Sequence, residues 1–200
     1  MTFVQRTAGW LLSLAMTGCV TRIPFEHSTL EPPVVPRAGV LLVRPFTDCR
    51  PHDHADIGTL RNLFAMPVVR VVAADPRPVA LQLTEHWSDA LRRVGYRVVD
   101  QADPGAAVAP PDTAVLEGRV EEFWMDTWFA LWHTIVVHVR LGDPDGGPAR
   151  WEHTFTAHDR RPLWLGAPGE YSACIGAALD AALAEAVREF SSSDFADLVR

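Results

Sequence analysis

The chain has 200 residues, 48% of them hydrophobic and 22% charged, and its net charge is −7. That balance excludes a disordered chain and an integral membrane protein. It also argues against nucleic acid and anionic lipid as partners recognised by bulk charge.

The first 18 residues read as a lipoprotein signal peptide. Arg6 supplies a basic start, and Thr7–Met16 form an apolar run too short to cross a bilayer, which takes about 20 apolar residues. A general signal peptidase wants a small residue third from the cut, where Met16 stands. Met16-Thr17-Gly18-Cys19 instead resembles the bacterial lipobox, in which the cysteine sulfur takes a diacylglycerol, the chain is cut before it and the new amine is acylated. Each buried methylene contributes about 0.8 kcal/mol, so several acyl chains make a durable anchor. Cys19 is the expected lipidation site. Val20, rather than aspartate, follows it, which resembles sorting to the outer membrane, facing the periplasm.

Residues 19–38 contain Pro24, Pro32, Pro33 and Pro36 and read as an extended tether. Residues 39–200 read as one domain. Gly39–Phe46 is a short β-branched run expected as a buried strand, Asp48–Gly58 as a polar loop, and Met66–Ala73 as the next strand. Asp75 is expected to cap a helix carrying Ala80, Leu83, Trp87, Ala90, Leu91 and Val94 as its apolar stripe. Gln82, Glu85, Ser88, Asp89, Arg92 and Arg93 fall on its other face. Gly95 ends it, and Tyr96–Asp100 return as a strand.

Three longer strands follow, Thr113–Met125, Leu131–Leu141 and Ala149–Ala157, with Gly142–Gly147 as turn chemistry between the last two. A hairpin centred there sets His138 opposite Glu152 and His153 opposite Val137. The closing segment is a long helix with Ile175, Leu179, Ala182, Leu183, Ala186, Val187 and Phe190 in one stripe, then a short helical turn. The expected fold class is α+β: a mainly antiparallel sheet with two long amphipathic helices packed on one face.

"FTDCRPHDHADIG" resembles the Asp-x-Arg…Ile-Gly segment of YajG-type bacterial lipoproteins, with Asp48, Arg50, Ile57 and Gly58 at the matching positions. The helix ending in "LRRVGYRVVD", the "LEGRVEEFWMDT" strand and the alanine-rich terminal helix are also similar to that group. Cys49 departs from it. The resemblance implies an outer-membrane-associated lipoprotein, in the style of transporter-auxiliary lipoproteins.

Chemistry-bearing clusters are sparse. His52-Asp53-His54, near Asp48 and Asp56, is the densest set of metal-ligand types, but a site needs three or four ligands converging from fixed elements. A solvated loop explains the same residues. Glu121 and Glu122, on opposite faces of one strand, cannot flank a sugar. No Gly-x-Ser-x-Gly elbow, Gly-x-Gly-x-x-Gly or P-loop pattern occurs. The expectation is no enzyme, no cofactor and no metal; the alternative is a metal-dependent hydrolase using His52, Asp53 and His54.

Phe123–Trp132 holds three tryptophans and two phenylalanines around a hairpin turn. They plug the core on one reading. On the other, Trp128 and Phe129 at the tip anchor a protein or lipid partner. Finally, lipidation of Cys19 leaves Cys49 and Cys174 as either a disulfide or two unrelated small hydrophobes. The sequence therefore reads as an envelope lipoprotein with a binding, accessory or scaffold role, partnered by the membrane through its lipid and by an envelope protein, with no nucleic acid.

Overall fold

The computed structural model describes residues 19–24, 37, 39–62, 64–100, 110, 113–163 and 168–199. The signal-peptide segment and most of the proline-rich segment lie outside the described residues. Nine strands and three helices are described: β1 (Cys19–Ile23), β2 (Val40–Val43), β3 (Thr47–Asp48), β4 (Asp56–Arg61), β5 (Pro67–Ala73), α1 (Val79–Val94), β6 (Arg97–Asp100), β7 (Ala114–Thr127), β8 (Ala130–Gly142), β9 (Trp151–Pro162), α2 (Pro168–Ser191) and α3 (Ser193–Leu198).

β7 is the spine of one mixed sheet. Its 14 residues take β8 along one edge in an antiparallel ladder, and β9 continues the meander. The other edge receives three short parallel strands in succession: β2 at Leu116, β3 at Val120 and β4 at Met125. β6 flanks β2, while β5 turns back antiparallel on β4 and carries β1 on its far side. The fold is α+β, and its long ladders are antiparallel.

α1 and α2 pack on each other; α2 also lies against β8, β9 and β1, and α1 against β3, β6 and β7. Along β8 burial alternates strictly, with Leu131, His133, Ile135, Val137, Val139 and Leu141 turned inward. The two-residue period of a strand with one covered face produces that pattern. The stripe expected on α1 is buried throughout, and Gly95 closes the helix at φ 105°, where a side chain is disfavoured. Ser192 caps α3 by accepting from the Phe195 amide.

Several expectations are corrected. Cys19–Ile23, expected at the head of a tether, is an edge strand, with Ile23 fully buried. The loop expected over Asp48–Gly58 contributes to β3 and β4. Pro78, not Asp75, precedes α1, and Asp75 instead binds the Arg77 amide and guanidinium. Gln82 and Ser88 are buried because α1 is covered on more than one stripe.

Glu121 and Glu122 are both exposed, since the β7–β8 register slips between Val120 and Glu122. A bulge there inserts an extra residue and breaks the alternation on which the opposite-faces argument depended. The β8–β9 register is also two residues from the expected one: His138 faces Thr154, His153 faces Val139, and Glu152 faces Arg140.

Candidate functional site

The segment from Asp48 to Gly58 folds around one buried ion pair. Arg50 Nε donates to Asp48 Oδ1 at 2.8 Å and Nη2 to Oδ2 at 2.7 Å, a two-pronged contact between side chains that are 1% and 6% exposed. The remaining guanidinium protons go to backbone oxygens: Asp56 at 2.7 Å, His54 at 3.0 Å and Phe123 at 3.4 Å. His54 Nδ1 lies 3.0 Å from Asp48 Oδ2 and donates, since a carboxylate only accepts.

Burial pushes the Asp48 carboxyl up. The Arg50 and His54 hydrogen bonds and the Arg50 charge outweigh it and hold the group at about 2. Ile57, on β4, is fully buried. Gly58 crosses β7 so closely that a Cβ would stand 2.4 Å from the Met125 carbonyl oxygen. Asp48, Arg50, Ile57 and Gly58 are thus brought together as a clasp fastening the segment to β7.

The neighbouring histidines and acids point to separate partners. His52 stacks on Trp124 with ring centroids 3.8 Å apart. Asp53 lies 3.7 Å from Arg70, which binds Asp56 more closely at 2.6 Å. Among the described residues no three His, Cys, Asp or Glu side chains are grouped as metal ligands. His52, Trp124, Arg50, Glu121 and Glu122 line a shallow cavity of about 200 Å³.

A larger cleft of about 660 Å³ lies where β2, β3, β7, β8 and β9 meet solvent, lined by Arg44, Glu117, Arg119, His138, Arg140 and Glu152. Two of its arginines share one glutamate, and the third, Arg119, pairs with Glu121 outside the lining. Arg44 and Arg140 both bind Glu117, and although burial raises the Glu117 carboxyl, those two partners hold it below its ordinary value.

Of the two alternatives for Cys49 and Cys174, the structure shows both as free cysteines. The Cys49 amide continues β3 by donating to Val120 on β7, whereas Cys174 Sγ contacts the Asp159 carbonyl on β9. β3 and β9 are three strand spacings apart, about 14 Å, and Asp159 lies a further four residues, about 13 Å, along the sheet. A bridge needs Cα atoms within about 7 Å. Burial, then the Asp159 charge and hydrogen bond, push the Cys174 thiol up to about 12, which favours the protonated form.

His133 is a buried residue that sequence reasoning left without a role. Its ring meets Phe123 edge-on at 4.6 Å, and neither nitrogen has a side-chain or backbone partner at good hydrogen-bonding geometry. Burial holds it neutral, down to about 3, against the opposing Asp159 charge and the Trp124 backbone. The signal that could have found it is its place, two residues from Leu131 and from Ile135, in the alternation of β8.

At the β7–β8 tip, Trp128 and Phe129 are exposed and lean on one another at 4.7 Å. Trp124 and Trp132 are half-buried, and only Phe123 of that aromatic run is fully in the core. Phe64, Met66 and Val68 at the β4–β5 turn are exposed as well. Their signal was an apolar run, Leu63–Met66, at a place where turns ordinarily use polar residues or glycine.

No family model matches the chain, and no curated protein matches it significantly. Solved structures do share the fold. Protein XCC0632 from Xanthomonas campestris, of family DUF330, superposes with a TM-score of 0.60 at 15% identity, over 88% of this chain and 96% of that one. The hypothetical protein CT253 from Chlamydia trachomatis gives 0.50 at 14% identity, over 78% and 97%. A minor lipoprotein from Acinetobacter baumannii gives 0.47 at 14% identity, over 78% and 93%. At these identities the first two show a likeness of fold alone, and none of the chemistry of those proteins is carried to this chain.

Proposed function

We propose that this protein is a lipid-anchored component of the bacterial envelope, acting by binding as an accessory or scaffold rather than by catalysis. One observation carries the reading: among the described residues the first strand, β1, already includes Cys19. Cleavage before Cys19 removes only the apolar leader and leaves every described strand intact. The same cut at a lipobox-like sequence exposes the residue that takes the lipid. The anchor then holds the domain at the outer membrane, facing the periplasm, with β1 starting at the membrane surface.

The YajG-type resemblance fits the same reading, because its four matching residues act together as the clasp on β7. The fold that accompanies it sets both long helices on one sheet face, supported by the contact of α1 with α2 and by the alternating burial of β8. The hydrolase alternative loses its ligand set, since His52, Asp53 and His54 each turn to a different protein partner.

Cys19→Ser tests the anchor. The wild-type chain is expected in the membrane fraction, with mass spectrometry showing acyl groups on Cys19. The variant is expected to accumulate as uncleaved precursor. A variant that fractionates and migrates like wild type overturns the reading. Crosslinking in the native envelope followed by affinity capture identifies the protein that the scaffold engages.

A further inference from the structure

The large apolar side chains left in solvent are not scattered. Among the described residues Val20, Phe64, Met66, Val68, Trp128 and Phe129 are exposed by between 44% and 80%. The sheet register brings all six to one end. β1 runs parallel to β5 with Cys19 opposite Val69, so β1 starts at the β4–β5 turn that carries Phe64 and Met66. β4 runs parallel to β7 with Leu60 opposite Thr127, so the same turn lies beside the β7–β8 tip that carries Trp128 and Phe129.

The two tips are joined. Arg61 donates to both carboxylate oxygens of Asp126, at 2.7 and 2.9 Å, and its amide bonds Thr127 Oγ1 at 3.3 Å. The first turn is held in a fixed shape: Asn62 Oδ1 accepts from the Phe64 and Met66 amides, and Ala65 sits at φ 60°, a conformation non-glycine residues rarely adopt. Apolar side chains on two rigid, tied turns form a surface, where isolated exposed residues would not.

We propose that this end of the sheet docks into the lipid bilayer, with Phe64, Met66, Trp128 and Phe129 inserted at the membrane interface. The proposal rests on the lipid-anchored reading above, which sets Cys19 at the membrane. What singles out lipid as the occupant is the position of that residue. Cys19 begins β1 with no intervening linker, and the turn opposite it projects about 10 Å farther along the strand direction. Acyl chains entering the bilayer at Cys19 therefore draw the tips in after them, to the depth of about 5–10 Å at which amphipathic surfaces ride.

The residue types suit that depth. Tryptophan favours the interfacial zone and phenylalanine the apolar side of interfacial surfaces, and behind them the Arg160 guanidinium carbon lies over the Trp132 ring, 5.3 Å from its centroid, a cation–π contact. Two of the three arginines behind the tips are matched by acids, Arg61 by Asp126 and Arg161 by Asp159, so docking is expected to depend little on anionic lipid.

The test uses the processed full chain, purified from membranes and reconstituted in phosphatidylethanolamine–phosphatidylcholine vesicles. A fraction of the phosphatidylcholine is brominated on its acyl chains. The difference in emission between wild type and Trp128→Phe isolates Trp128. That component is expected to fall at least twofold with lipids brominated near the headgroup, and less with lipids brominated near the bilayer centre. Phe64→Ser with Phe129→Ser is expected to leave the melting temperature unchanged and to abolish most of the quenching.

Trp128 that is open to aqueous acrylamide but untouched by bromolipid overturns the proposal in favour of a free tip. Trp128 shielded from both overturns it in favour of a protein interface, either between copies or with a partner. Mass spectrometry of the same sample separates the two readings. Unmodified Cys19 refutes the anchor, while quenching still decides the docking.

Discussion

Asp48 is an acid almost out of water, and its value to the fold lies in being charged. Its carboxyl sits at about 2 in the folded chain against an ordinary 3.8. A depressed acid contributes stability above its unfolded value and loses it as the pH falls toward its folded one. The relevant window is therefore pH 4 down to 2. A shift of this size corresponds to about 2 kcal/mol. Urea unfolding of wild type and Asp48→Asn is expected to show a stability gap that is constant above pH 5 and narrows by about that amount near pH 2. Arg50→Ala is more severe, since it strands a buried carboxylate, and a loss of about 3–5 kcal/mol is expected in the same assay. Both effects mark the clasp as structural. A loop whose residues were free for metal or substrate would tolerate them.

Where short parallel strands meet β7, clearance decides what fits. Gly58→Ala places a methyl group against the Met125 backbone, which cannot swing aside, so β4 must move off β7. A fall in melting temperature corresponding to about 1–3 kcal/mol is expected, with the cleft beyond β3 unaffected. Elements of this kind were the least legible in the sequence. α1, α2 and the β7–β8–β9 meander announce themselves through local periodicity, the 3.6-residue stripe of Leu83, Trp87 and Leu91 or the alternation of Ile135, Val137 and Val139. β1, β3 and β4 span two to six residues each; β1 and β3 pair only across long sequence distances, as β4 does with β7, so little that is local reports them. The clasp was hidden for a related reason: Asp48, Arg50 and His54 are polar and read as a wet loop, while their mutual neutralisation is what allows burial. The bulge at Glu121 leaves no trace in residue type at all, and it reversed the inference about the two glutamates.

Taken whole, the molecule is a sheet whose first strand is its edge. Ile23 is fully buried, its carbonyl accepts from the Ala74 amide at 2.8 Å, and Ser172 of α2 reaches the neighbouring Pro24 carbonyl at 3.2 Å. Ile23→Ala is expected to cost about 2–5 kcal/mol in chemical denaturation, a core penalty from a residue five positions into the processed chain. A flexible leader would show no loss, so the measurement separates a strand from a tether. The order of the strands along β7 also governs how the chain comes to be folded. β2 is emitted early but finds its first partner, β6, only at residue 97 and its second, β7, at residue 114, while β3 waits for Arg119 and Val120 of β7. The β7–β8–β9 meander closes over short loops and forms readily once it is present, whereas the pairings of β2 and β3 span some seventy residues and must bear the loop-closure entropy. A chain delivered from its N-terminus therefore carries Val40–Val43 as an unpaired apolar strand through the first half of its synthesis, and a holding factor that shields this stretch would act on the first half of the chain and be released by the arrival of β6 and the spine.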